Sequence, residues 1–206
     1  PNHWQTWFEE QIPGTVRVIQ GDWSKADLPE WARRTRRQIV RNPGRIFVVA
    51  HSFGVLASVQ AASDFGERIA GALLVAPADP DKFGIADHLP QTALPFPSVV
   101  VASSNDPWMS LWKAAHWADL WGADFVNLGE AGHINTEAGF GAWPEGLAIF
   151  ERLRLRGHRR ASRRVAARAD VALQLHPRAW RPITPASPSR DGARRSGGRI
   201  SRLGVG

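Results

Sequence analysis

The stretch IAGALLVAP, residues 69–77, holds no charged or hydrogen-bonding side chain, and this constrains the fold more than any other feature. Nine residues fall far short of the roughly 20 that an apolar helix needs to cross a bilayer. A short continuous apolar run is what a strand covered on both faces looks like. RIFVVA (45–50) and SVVVAS (98–103) have the same character. Three such strands in one chain require helices on both sides of a sheet.

The intervening segments supply those helices. LPEWARRTRRQIVRN has Pro29 near its start and apolar Trp31, Ile39 and Val40 among cations, which predicts an exposed amphipathic helix. GVLASVQAAS predicts a second, MSLWKAAHWADLWG a third closed by Gly122, and WPEGLAIFERLR a fourth. TVRVIQ (Thr15 to Gln20) and ADFVNL read as further short strands. Alternating strands and helices of this length predict an α/β fold, a parallel sheet flanked by helices.

The formal net charge of +7 points to a nucleic-acid binder until the charges are located. Residues 1–151 carry 11 Lys and Arg against 17 Asp and Glu, whereas residues 152–206 carry 15 Arg against 2 Asp. The basicity therefore belongs to the tail. We accordingly divide the chain into a folded domain, 1–156, and an Arg-rich tail, 157–206, expected to be mostly disordered, with ASRRVAARADVALQL its one candidate helix. The tail fits a nucleic-acid-binding arm, a solvated appendage, or an out-of-frame translation of GC-rich coding sequence. Trp180 is its only aromatic residue, so the stacking platforms of single-strand binders are missing. Cysteine is absent, which excludes disulfides and thiolate metal sites. No His and carboxylate spacing predicts a metal site, and no cofactor is expected. Without a spanning run or a signal-peptide h-region, the chain is read as cytoplasmic.

In a parallel sheet, chemistry collects at the carboxyl ends of the strands. Ser52 follows the strand ending at Ala50, Asp106 the strand ending at Ser103, and His133 the strand ending near Leu128. Ser, Asp, His is the chain order of an α/β-hydrolase triad. A hydroxyl attacks only when an imidazole takes its proton, and a carboxylate must orient that imidazole and stabilise its cation. In AHSFG, a strand turning sharply into a helix would place Ser52 at a strained corner, with Ala50 and Gly54 small because the turn brings them together. Alone, this stretch reads equally as a helix N-cap serine. The Phe53 backbone N–H is the expected oxyanion donor.

HWQTWFEE, AHSFG, SSNDPW and EAGHINTEAGFGAWPEG together resemble the small serine-hydrolase family that contains the retinoblastoma-binding protein 9 and bacterial YdeN-type proteins. The resemblance covers roughly residues 1–153. It implies the same three roles: Ser52 nucleophile, Asp106 acid, His133 base. It also implies a strand and a glycine-containing loop ahead of HW that would give a second oxyanion donor. The sequence is therefore read as truncated before Pro1, with the first strand missing and two inner sheet edges open. Two functions follow: a serine hydrolase of small esters or amides working through an acyl-enzyme, or a catalytically impaired hydrolase scaffold acting in protein interaction.

Rivals exist for each role. Asp79 and Asp81 also follow a strand end, beside prolines that make them turn residues. His51 neighbours the nucleophile but points to the opposite face of an extended segment, so it packs or positions the loop. His116 lies inside a helix, while His3 and His88 approach from loops. Trp108, Phe83 and Phe53 are candidates to line an apolar acyl pocket, with core packing as their alternative role. The long PADPDKFGIADHLPQTALPFP segment reads as a small cap over the site. The expected partner is a small ester or amide, with no membrane and with nucleic acid only through the Arg-rich tail.

Overall fold

A computed structural model describes residues 3–175. It divides into two units, residues 1–167 and 168–206; of the second, only 168–175 is described, as helix. The tail beyond Leu175, Trp180 included, lies outside the described residues.

The first unit is built on four parallel strands in the order β1 (Ile46–Ser52), β2 (Ile69–Pro77), β3 (Ser98–Ala102) and β4 (Asp124–Asn127). All nine residues of β2 are buried, which is why IAGALLVAP carries no polar side chain. Side-chain alternation splits the sheet into two cores. Ala72, Leu74, Val100 and Ala102 pack with the helices α2 (Leu28–Arg41), α3 (Phe53–Ala62) and α4 (Leu111–Leu120). Leu73, Val75, Val99 and Val101 pack on the other face with α1 (Trp4–Gln11) and α5 (Pro144–Leu175).

Each helix has a local cause. Asp27 caps α2 by accepting a hydrogen bond from the Glu30 N–H at 3.0 Å, and Pro29 sits in its first turn. Its buried residues Leu28, Trp31, Ala32, Thr35 and Ile39 fall on one helical stripe. Val40, expected among the apolar set, is exposed. Gly122 closes the α4 segment in the left-handed region, φ 62°. The helix α1 was not anticipated; Trp4 and Phe8, one turn apart, are both buried. Burial of such side chains is worth roughly 1.5–3 kcal/mol each.

One expectation fails. Thr15–Gln20 is not a strand, and Val16 and Ile19 are exposed. A β-branched run becomes a strand only with a hydrogen-bonding partner. Here no strand pairs with the outer edge of β1 among the described residues. A cleft of about 840 Å³ lies between that edge, the 12–20 segment and α2. Residue 156, where the sequence reading ends the folded domain, lies within α5. There Gly157 lets the helix run against β2, since a Cβ at this position would meet the Ala70 carbonyl at 2.6 Å. The segment 161–175 continues as helix.

Candidate active site

Ser52 ends β1 and is followed directly by α3, with φ 55° and ψ −129°. Positive φ in a non-glycine residue is strained, and here it occurs at the last residue of the strand, where the chain turns into the helix. A second distortion lies alongside, where the register between β1 and β2 shifts at His51/Ser52 and Ala76 takes φ 43°. Ala50 is buried in the sheet. Gly54 is small for no steric reason visible here: a Cβ on it would meet nothing within 4 Å, because it faces the cleft beside β1.

The three sequence-derived residues converge from three strand ends. His133 Nε2 lies 2.8 Å from Ser52 Oγ. Its Nδ1 lies 2.9 and 3.0 Å from the two Asp106 carboxylate oxygens. With Nδ1–H donating to Asp106, Nε2 is left bare to accept from the Ser52 hydroxyl. The Asp106 side chain is 3% exposed and that of His133 10%, so bulk water scarcely competes for these bonds. Asp106 also accepts from the Trp108 N–H at 2.9 Å, which orients the carboxylate.

The rivals have other partners, although Asp79 lies in the wall of the pocket beside Ser52. The carboxylate of buried Asp79 pairs with Lys113 at 2.8 Å and caps the turn at Pro80–Phe83, and Asp81 pairs with the same lysine at 2.7 Å. These two carboxylates hold the Lys113 ammonium, raising its pKa. His88 and His116 are exposed. His3 caps α1 through Nδ1, which accepts from the Gln5 N–H at 3.2 Å. His51 lines the cleft beside β1, and burial lowers its pKa to about 3.

A pocket of about 200 Å³ opens beside Ser52 and His133, with Phe53, Phe83 and Trp108 in its wall. The Phe53 ring packs in the core against Trp31, whereas Phe83 and Trp108 are exposed at the mouth. The Phe53 N–H is the first of α3, where backbone donors have no intrahelical acceptor. The 78–97 segment contributes to this wall through two short 3-10 turns, Pro80–Phe83 and Ala86–His88. Lys82 ties it to the acid loop, donating to the Pro107 and Trp108 carbonyls at 3.2 and 2.9 Å.

Sequence reasoning missed Ser103 and Asn105. Ser103 Oγ accepts from the Ala131 N–H at 2.9 Å, and Asn105 Oδ1 accepts from the Gly132 N–H at 2.7 Å. They bind the acid loop to the loop that carries His133. Their only sequence signal was proximity to the NDP turn.

Residues 1–152 match the model of the serine hydrolase family. The chain belongs to that family. A crystal structure of a YdeN-like hydrolase from Pectobacterium atrosepticum is 41% identical, with TM-score 0.70, over 76% of this chain and 83% of that one. The ydeN gene product of B. subtilis shares the fold at 17% identity and TM-score 0.61, over 74% of this chain and 90% of that one. No curated protein matches. This serine hydrolase is thus a YdeN-like enzyme of the α/β-hydrolase fold, a parallel sheet flanked by helices. None of its helices is long and apolar enough to cross a membrane, among the described residues.

Proposed function

We propose that this enzyme hydrolyses small esters or amides through an acyl-enzyme on Ser52. The observation that carries the reading is the continuous chain Ser52 Oγ, His133 Nε2, His133 Nδ1, Asp106, each link at 2.8–3.0 Å. In the first half-reaction His133 Nε2 takes the Ser52 proton while Oγ forms a bond to the substrate carbonyl carbon. The carbonyl oxygen becomes an oxyanion beside the Phe53 N–H, at the positive end of α3. Collapse breaks the bond to the leaving group, which departs with the proton held by His133. In the second half, water gives a proton to His133 and attacks the acyl carbon, and Ser52 recovers its proton as the acid leaves. Asp106 keeps the imidazole in the tautomer that accepts at Nε2 and stabilises its cationic form.

The pocket supports a small acyl group. Its volume of about 200 Å³ suits a small acyl group rather than a long chain. Phe83 and Trp108 give it apolar walls. A fluorophosphonate probe tests the reading, since it reacts only with an activated serine. Labelling is expected in the wild type and lost in Ser52→Ala; a folded wild type that stays unlabelled overturns it.

A further inference from the structure

The loop that carries His133 is held in a conformation its own sequence disfavours. Ile134 is β-branched and fully buried, yet has φ 49°, in the left-handed region. Such a residue persists there only where its surroundings over-determine the backbone. The bonds from Ser103 and Asn105 hold the N–H groups of Ala131 and Gly132, on the acid side of the loop. On the opposite side, two aromatic rings grip the next two carbonyls. His51 Nε2 lies 2.8 Å from the His133 carbonyl oxygen, and Trp4 Nε1–H donates to the Ile134 carbonyl at 2.9 Å. These contacts span 82 and 130 residues of sequence.

We propose that His51 and Trp4 are positioning residues: their ring N–H groups clamp consecutive carbonyls of the His133 loop and so fix the imidazole between Ser52 and Asp106. The proposal rests on His133 acting as the base. A carbonyl accepts only from an N–H, so the bond requires the tautomer of His51 protonated at Nε2. Burial keeps His51 neutral, and its charged and titratable neighbours are His133, His3 and Asp106. The ring is fixed in turn by its packing: His3 lies 5.0 Å from it, Trp4 6.0 Å and His133 4.8 Å, centroid to centroid. Trp4 is itself fully buried against Phe8 and Trp143. The clamp is therefore built from α1 and β1, and His51 both holds the His133 carbonyl and packs its ring beside the His133 imidazole. Ser52 and His51 are adjacent in β1, so one strand end presents the nucleophile on one side and braces the base from the other.

The test compares His51→Phe, Trp4→Phe and His51→Gln. The two phenylalanine variants keep a ring and remove the N–H; Gln restores an N–H donor near the Nε2 position. Hydrolysis of p-nitrophenyl acetate gives kcat and KM, and proton NMR follows the downfield resonance of the hydrogen between His133 Nδ1 and Asp106. Misplacing a catalytic group by about 1 Å costs up to ~100-fold. The expected result is a ~10- to 100-fold fall in kcat with little change in KM for both phenylalanine variants, loss or shift of the downfield resonance, and recovery of both in His51→Gln. Wild-type kcat and an unmoved resonance in folded His51→Phe and Trp4→Phe overturn the clamp. So does a His51→Phe variant with wild-type kcat beside an impaired His51→Gln, which would assign the effect to ring packing. Ser52→Ala separates the two readings: if it abolishes hydrolysis while the clamp variants are normal, only the clamp fails, and if it retains hydrolysis, the nucleophile assignment fails and the clamp with it.

Discussion

At the scale of single residues, the site depends on a proton having one place to go. The Asp106 carboxylate accepts from His133 Nδ1, so the bare Nε2 faces Ser52. Asp106→Asn presents an amide that can favour the opposite tautomer, and kcat is expected to fall ~10³- to 10⁴-fold with little change in thermal stability; retention of more than a tenth of wild-type kcat contradicts the assignment. His51 makes a different prediction, about stability. Its folded pKa of about 3 lies below the ordinary 6.5, chiefly through burial. Above pH 6.5 neither state binds the proton; between about 6.5 and 3 the unfolded chain takes it up and the folded chain does not, so stability falls as pH falls through that window. In His51→Gln this slope should be shallower but not flat, since burial lowers the His3 pKa as well. Urea midpoints near pH 7 and roughly pH 4.5 read it out, and equal slopes in both proteins refute it. That Ser52, Asp106 and His133 meet was legible in the sequence because each follows a strand end. The clamp was not, because Trp4 and His51 gain their meaning only by meeting a carbonyl far along the chain.

At the scale of elements, legibility followed burial on two faces. IAGALLVAP and SVVVA are buried along their whole length, and the one polar side chain among them, Ser98, is satisfied by donating to the Phe96 carbonyl. TVRVIQ had the same β-branched composition but half-exposed surroundings, and composition does not supply a pairing partner. The helix α1 is hard to read for the opposite reason: Trp4, Trp7 and Phe8 follow a helical spacing, but eight residues are too few to establish the period. The end of α5 shows how one missing side chain extends an element. Gly157 sits against the Ala70 carbonyl and the Phe47 ring, with a Cβ position 2.6 Å from the former. Backbone cannot yield as a flexible side chain can. Gly157→Ala should therefore push α5 off the sheet despite the better helix propensity of alanine, at a cost of ~1–3 kcal/mol. Thermal unfolding measures this. An unchanged or raised midpoint would mean that the helix moves away from β2 without loss.

At the scale of the whole molecule, the sheet is unequal from edge to edge. β2 lies between β1 and β3 and is buried along its full length, with both cores on its faces. β1 pairs with β2 on one side only, and its other edge borders the 840 Å³ cleft. Edge amides that face a cleft reach water by small local openings, whereas β2 amides exchange only when both cores part. The groups of the proposed triad are distributed over this gradient: Ser52 ends the one-sided strand, while Asp106 and His133 follow the inner strand β3 and the outer strand β4. Hydrogen exchange followed strand by strand should show β2 amides protected to the level of global unfolding and β1 amides facing the cleft exchanging well before them. The clamp by Trp4 and His51 adds a second expectation, that the loop at Ala131–Ile134 is slower to exchange than its turn-rich sequence implies. Uniform protection across β1 and β2 would show that the outer edge of β1 is as secure as the interior, and that the nucleophile stands on the rigid part of the molecule rather than on its margin.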